Sequence, residues 1–370
     1  MSVKWDETDD PTELPLWVAD MDFETAPAIT QALVDRARQG VFGYVHPSDE
    51  YYKALTNWFE RRHGWHIDRR GVIIVPGVVP AISAIIKALA RPGQGVIIQT
   101  PVYNCFFSSI RNNGCRIVEN TLLRQGDSYV MDYEDFERCC ADPDNVLVLL
   151  CNPHNPAGRV WTRAELERVA EIAARHGVTV VSDEIHCELV FDRKGYVPYA
   201  TVSQQPCVCC VSPSKAFNTA GLQTANIVCP DDDMRARIDR AVNDNEVCDV
   251  GVFGPIALIA AYNHGEDWLE QLLVYIHGNY EYLKERIAAM NAGFEVLRLE
   301  GTYLAWVDVS SLGMPVDGLC TRLREQAHIR FTPGTAYGDD GEGYIRINLA
   351  TQRARLAEAL DRLQTWLSQL

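Results

Sequence analysis

Between about residue 70 and residue 230, short apolar runs alternate with stretches of helical periodicity. That alternation limits the possible folds more than any other feature of the chain. Residues 72–75, 96–99, 146–150, 178–183 and 207–211 are runs of strand length and are expected as buried strands. Residues 78–89 carry helical spacing directly after Pro76-Gly77. Further on, Thr162 and Glu165 have capping-box spacing, Leu166, Val169, Ala170 and Ala173 mark one helix face, and Gly177 fits the stop. Strand–helix alternation of this kind predicts an α/β fold: a mainly parallel sheet with helices on both faces.

Beyond about residue 255 the pattern changes. A long helical stretch (255–290) leads to an alternating strand (301–308) and a helix (316–327). A strand pair around Arg330 and 344–350 and an amphipathic helix (351–368) follow. This reads as a smaller α+β domain. With 370 residues, two cores are expected. The expected division is an N-terminal segment 1–43 packing with the small domain, a large domain 44–254 and a small C-terminal domain 255–370.

The formal net charge of −16 disfavours nucleic acid and anionic membrane as partners. No apolar stretch approaches membrane-spanning length, and the opening MSVKWDETDD lacks the apolar region of a signal peptide, so a cytoplasmic protein is expected. The twelve cysteines lack paired CxxC spacing, and Cys209 and Cys210 should project to opposite faces of a strand. They read as reduced, structural thiols, with no metal site.

Gly77, Tyr103, Asn155, Asp183 and Lys215 each follow the carboxyl end of an expected strand, the edge where open α/β sheets bind ligands. Lys215 alone reads as a surface lysine, and Asp183 alone as a turn or cap acid. Together, each ending a buried strand, they suit pyridoxal 5'-phosphate: the amine condenses with the cofactor aldehyde, and the acid keeps the pyridine nitrogen protonated. Gly77, Val78 and Val79 begin a helix whose free N–H groups and positive dipole end suit a phosphate. Ser212 and Ser214 add hydroxyls near Lys215. Asn155 sits in the rigid turn 152–158, from which its amide could reach a cofactor oxygen, as could His186. Either is otherwise an ordinary turn residue or a satisfied histidine. Tyr103 could stack on a ring or be a half-buried aromatic. Arg346, flanked by apolar residues, needs an anion: a substrate carboxylate, or a structural salt bridge.

These residues bring a resemblance into view. The stretches SVKWD (2–6), LPLWVADMDF (14–23), FGY (42–44), PGVVPAI (76–82), TPVY (100–103), NPHNPAGRVW (152–161), SDEIHCELV (182–190), SPSKAFNTAGLQ (212–223), EGTYLAW (300–306) and YIRINLA (344–350) run nearly end to end. In them the chain resembles the fold-type I pyridoxal phosphate enzymes of the aspartate aminotransferase superfamily, in the cystathionine β-lyase/C–S lyase branch. The resemblance implies that Lys215 carries the cofactor and moves the substrate's α-proton, and that Asp183 pairs with the pyridine nitrogen. It further implies that Asn155 binds the cofactor's ring oxygen, Tyr103 stacks on the ring and Arg346 holds the α-carboxylate. Residues 17–22, Ala19 among them, would line the substrate pocket. Tyr44 would reach the phosphate of a neighbouring subunit, implying a homodimer with shared sites. His186 stands where many aminotransferases have tyrosine. Gln223 stands where aspartate aminotransferases have a phosphate-binding arginine.

The expected reaction is β-elimination from a cysteine S-conjugate, with cystathionine the leading candidate. One rival reading is an aminotransferase using the same groups; another is a regulatory, protein-binding role on the same fold.

Overall fold

A computed structural model describes every residue except Met1, Arg193, Lys194, Asn245, Val247 and Cys248. Its centre is a seven-stranded sheet. In spatial order the strands are Val72–Val75, Ala225–Val228, Val208–Val211, Thr179–Asp183, Asn145–Cys151, Gly95–Ile98 and Arg116–Glu119. Ala225–Val228 runs antiparallel to both its neighbours, and the other pairings in this sheet are parallel. The carboxyl ends of the strands leading to Gly77, Tyr103, Asn155, Asp183 and Lys215 therefore share one edge.

Both faces of this sheet are covered, which is why its strands read as continuous apolar runs rather than alternating ones. Successive side chains still go to different cores. Ile97, Val148, Val180 and Cys209 pack in one cluster, and Ile98, Leu149, Val181 and Cys210 in the other. Helices Val78–Leu89, Asn104–Asn112 and Asp232–Asn243 supply apolar residues to the second cluster.

The helix Arg163–His176 has both hydrogen bonds of the capping box and ends at Gly177 in the left-handed region, φ 68°. The long helical stretch expected over 255–290 is instead two helices, Phe253–His264 and Glu266–Met290, meeting at Gly265. A Cβ at Gly265 would lie 2.6 Å from both the Ala261 carbonyl and the Phe217 ring, so the junction is set by close packing. The strand expected over 301–308 is shorter, Leu304–Asp308, and four of its five residues are buried rather than alternating. It is a central strand of a second, antiparallel sheet ordered Glu295–Val296, Leu304–Asp308, Tyr344–Asn348 and Thr332–Pro333. Helices Val316–Ala327 and Arg353–Leu367 follow the expected positions closely. Leu14–Pro15 pairs in parallel with Ile329–Arg330, which ties the N-terminal segment to the C-terminal part of the chain. Among the described residues no helix is long and apolar enough to cross a membrane.

Candidate active site

A cleft opens at the carboxyl edge of the large sheet. Its wall includes Ala19, Gly77, Val78, Val79, Tyr103, Asn155, Asp183, His186, Ser214 and Lys215, which lie far apart in sequence. Mixed walls of this kind, mostly apolar with a few convergent polar groups, are typical of small-molecule sites.

Lys215 follows strand Val208–Val211 through a short turn in which the Ser214 N–H donates to Ser212 Oγ at 3.1 Å. Its Nζ donates to the Ala19 carbonyl at 2.7 Å. Burial, and then the charge of Arg346, lower the amine's pKa to about 8, against the opposing pull of Asp20 and Asp183. A substantial neutral fraction near pH 7–8 makes this amine a usable base.

Asp183 is 4% exposed and accepts one hydrogen bond, from the Ile185 N–H at 3.1 Å. Burial pushes its carboxyl up to about 7. A carboxylate so placed calls for a cationic or proton-donating partner. The next side chain, Glu184, points away from the cleft and is fully used by Tyr196 Oη, the Tyr199 N–H and Ser182 Oγ at 2.6–2.9 Å. His186 is buried, and its Nδ1 has no partner. Burial, then the charges of Lys215 and Arg346, depress its pKa to about 3, so it is neutral and has a ring nitrogen to offer.

Asn155 projects from a turn that Gly158 makes possible. Gly158 has φ 69°, and its carbonyl accepts from the N–H groups of Glu300 and Gly301 at 2.8 and 3.1 Å. Arg346 donates from Nη1 to Asn155 Oδ1 at 3.1 Å and from Nη2 to the Trp17 carbonyl at 2.7 Å. Its guanidinium lies 4.8 Å from the centre of the Tyr337 ring, and Nε has no partner. Among the described residues no carboxylate is within ion-pair distance of it, so the salt-bridge reading of Arg346 does not hold. A buried cation with an unsatisfied donor is suited to a small anion.

The helix Val78–Leu89 points its N-terminus into the cleft, with Gly77 as a cap that has no side chain to satisfy the free N–H groups. Pro80 has no N–H, so the exposed donors there come from the residues before it. Tyr103 is on the wall with its ring edge-on to Phe106, and its phenol is pushed up by burial and then by Cys105.

The remaining residues singled out from the sequence are not on this wall. Ser212 is not on the wall, because its hydroxyl donates to the Thr224 carbonyl at 2.7 Å and supports the Lys215 turn. Tyr44, expected to serve a neighbouring subunit, is 99% exposed, in a stretch that also exposes Val41 and Phe42. Of residues 17–22 only Ala19 is on the wall; Asp22 pairs with buried Lys4 at 3.0 Å, and the Trp17 ring stacks under Arg330. Gln223 is not part of the wall either.

Sequence reasoning did not identify how Ala19 is held. The strap 17–23 has no regular structure, yet every one of its carbonyls accepts from a side chain. Arg346 reaches residue 17, Asn348 reaches 18 and 20, Lys215 and Tyr303 reach 19, Asn218 reaches 21 and 23, and Gln352 reaches 22. The only signals in the sequence were two amides in apolar surroundings, Asn218 just past Lys215 and Asn348 just past Arg346.

The profile of the aminotransferase class I and II family matches residues 12–363. The chain is 38% identical over 374 residues to cystathionine beta-lyase PatB of Bacillus subtilis (strain 168), covering 99% of this chain and 97% of that protein. It is 35% identical to protein MalY of Escherichia coli (strain K12), over 94% of this chain and 90% of that one. Among solved structures, cystalysin from Treponema denticola, which contains a pyridoxal 5'-phosphate cofactor, superposes with a TM-score of 0.96. There the identity is 32%, covering 100% of this chain and 96% of the other. With this match along nearly its whole length, the chain belongs to the aminotransferase class I and II family.

Proposed function

We propose that this protein is a pyridoxal 5'-phosphate-dependent C–S lyase. It takes a cysteine S-conjugate and water to pyruvate, ammonia and a thiol. The observation that carries the reading is the pairing of Lys215 and Asp183 in one cleft, in a chain 38% identical to a cystathionine β-lyase.

The wall suits the cofactor. Asp183 is a buried carboxyl without a cationic hydrogen-bond partner, and a protonated pyridine nitrogen supplies one. Asn155 and the unpartnered His186 would serve the ring oxygen, and Tyr103 the ring face. Gly77, Val78, Val79 and Ser214 would hold the phosphate, with Ser212 supporting from behind. When bound, the cofactor supplies an electron sink for the carbanion at the substrate's α-carbon.

The chain's own groups do the rest. Arg346, a buried cation whose Nε has no partner, takes the substrate α-carboxylate. The Lys215 amine, neutral in part near pH 8, removes the α-proton. The electron pair left on the α-carbon expels the thiolate from the β-carbon, and the released enamine hydrolyses to pyruvate and ammonia. The apolar share of the wall excludes water while the α-proton is in transit.

The same reading carries a homodimer in which the exposed Tyr44 reaches a neighbouring subunit's phosphate site, supported by the apolar exposure at Val41 and Phe42. It also carries the division at about residues 44 and 255, supported by the two separate sheets. A cytoplasmic setting accords with eleven described cysteines free of disulfides.

The test is release of pyruvate and homocysteine from cystathionine by the purified, cofactor-loaded protein with no keto acid present. Equal, continuing release supports the lyase; turnover only on adding a keto acid replaces it with an aminotransferase. Sedimentation of the same protein as a monomer would remove the shared-site dimer.

A further inference from the structure

The Ala19 carbonyl accepts two hydrogen bonds: from Lys215 Nζ at 2.7 Å and from Tyr303 Oη at 2.8 Å. Tyr303 is 1% exposed, and its ring stands edge-on to His186 at 6.1 Å between centroids. Its phenol is held well above the ordinary range by burial and then by the charge of Asp20, so it remains a donor throughout the working pH range.

The placement of Tyr303 is built into the backbone. Thr302, a β-branched residue, sits at φ 69°, a conformation that such side chains rarely adopt. It is held there by its N–H on the Leu189 carbonyl at 2.7 Å and by its hydroxyl, which accepts from the Leu304 N–H at 3.1 Å. Strain kept in place by surrounding bonds is commonest beside working groups. On the other side, the strap around Ala19 cannot follow a moving amine, because its neighbouring carbonyls are all held.

We propose that Tyr303 is a positioning residue for Lys215, acting through the shared Ala19 carbonyl. This rests on the reading of Lys215 as the base. An amine that removes the α-proton must leave its carbonyl acceptor. If Lys215 were the only donor, its departure would strand a buried carbonyl, and that cost would hold the amine in place. Tyr303 keeps the carbonyl satisfied in both positions, so Lys215 moves at little cost.

The test compares wild-type and Tyr303→Phe holoenzymes. The first readout is exchange of the L-alanine α-proton with deuterium from D2O, followed by proton NMR. It needs proton removal but no C–S cleavage. The variant should bind the cofactor with an unchanged absorption spectrum, keep KM within about threefold, and lose roughly 10- to 100-fold in the exchange rate. The deuterium isotope effect on kcat with α-deuterated L-cystathionine should rise. Unchanged exchange and isotope effect would overturn the proposal, as would a loss that merely tracks weaker cofactor binding or a lower melting temperature. Should Tyr303→Phe not fold, Tyr303→Met, whose adaptable side chain fills the space without a donor, is read by the same criteria: lost exchange with cofactor bound supports the proposal, and unchanged exchange overturns it. Wild-type enzyme that exchanges the alanine proton but releases no pyruvate from cystathionine would refute the lyase reading while leaving the Tyr303 comparison fully readable.

Discussion

Replacing Asp183 with asparagine should make the cofactor-free protein more stable at alkaline pH while removing its activity. The carboxyl titrates near pH 7 in the folded chain against 3.8 in the unfolded one, because burial penalises its charged form. The native state therefore binds more protons than the unfolded state between those values, and stability falls as pH rises from about 4 to 7. The shift is about three pH units at about 1.4 kcal/mol each, so the ionised acid costs about 4 kcal/mol at pH 8 and only about 1 kcal/mol at pH 4.5. The introduced amide would keep an oxygen for the Ile185 N–H and never ionise. Any packing difference shifts the variant equally at all pH values, so the pH dependence isolates the charge. Urea unfolding of cofactor-free wild type and Asp183→Asn at pH 4.5 and pH 8 is the assay. The stability difference should move in the variant's favour by about 3 kcal/mol between the two. A difference that does not change with pH would refute the argument that Asp183 is a buried acid awaiting a cation. With cofactor present the ordering should reverse, because the variant has lost the group that pairs with the pyridine nitrogen.

Lys215→Ala should lower pyruvate release by at least about 1000-fold, measured by a coupled dehydrogenase assay, while the cofactor still binds non-covalently. Arg346→Ala should raise KM for cystathionine by roughly 10- to 100-fold with a smaller change in kcat, because a charge-assisted contact to the carboxylate is lost. At Glu188 burial raises the pKa, but His63, Arg62 and the Trp58 N–H outweigh it and bring the carboxyl down from 4.5 to about 2. Its stabilisation of about 3 kcal/mol is present above pH 4.5 and lost as pH falls towards 2. Glu188→Gln should therefore cost about that much at pH 7, and progressively less in urea titrations towards pH 3.

Local chemistry was legible in the sequence. The capping box at Thr162 and Glu165, the left-handed Gly177 and the helix over 316–327 depend on residues within a few positions of one another. The large sheet was legible for the same reason, since a strand covered on both faces must be apolar throughout. From there the ligand edge followed, and Gly77, Tyr103, Asn155, Asp183 and Lys215 do share one cleft wall. What escaped were the contacts set by particular partners remote in sequence. The break at Gly265 is set by the Phe217 ring, and the burial of Leu304–Asp308 by strands on either side. The Ser212 hydroxyl donates to the Thr224 carbonyl, a contact its sequence context did not announce. The strap 17–23 has no periodicity to read, because its order comes from donors as distant as Asn218, Tyr303 and Arg346. Secondary structure and the set of chemical groups are written in short-range pattern. Which carbonyl each donor meets, and so where the Lys215 amine rests, is decided only when remote segments pack and each buried polar group must find a partner.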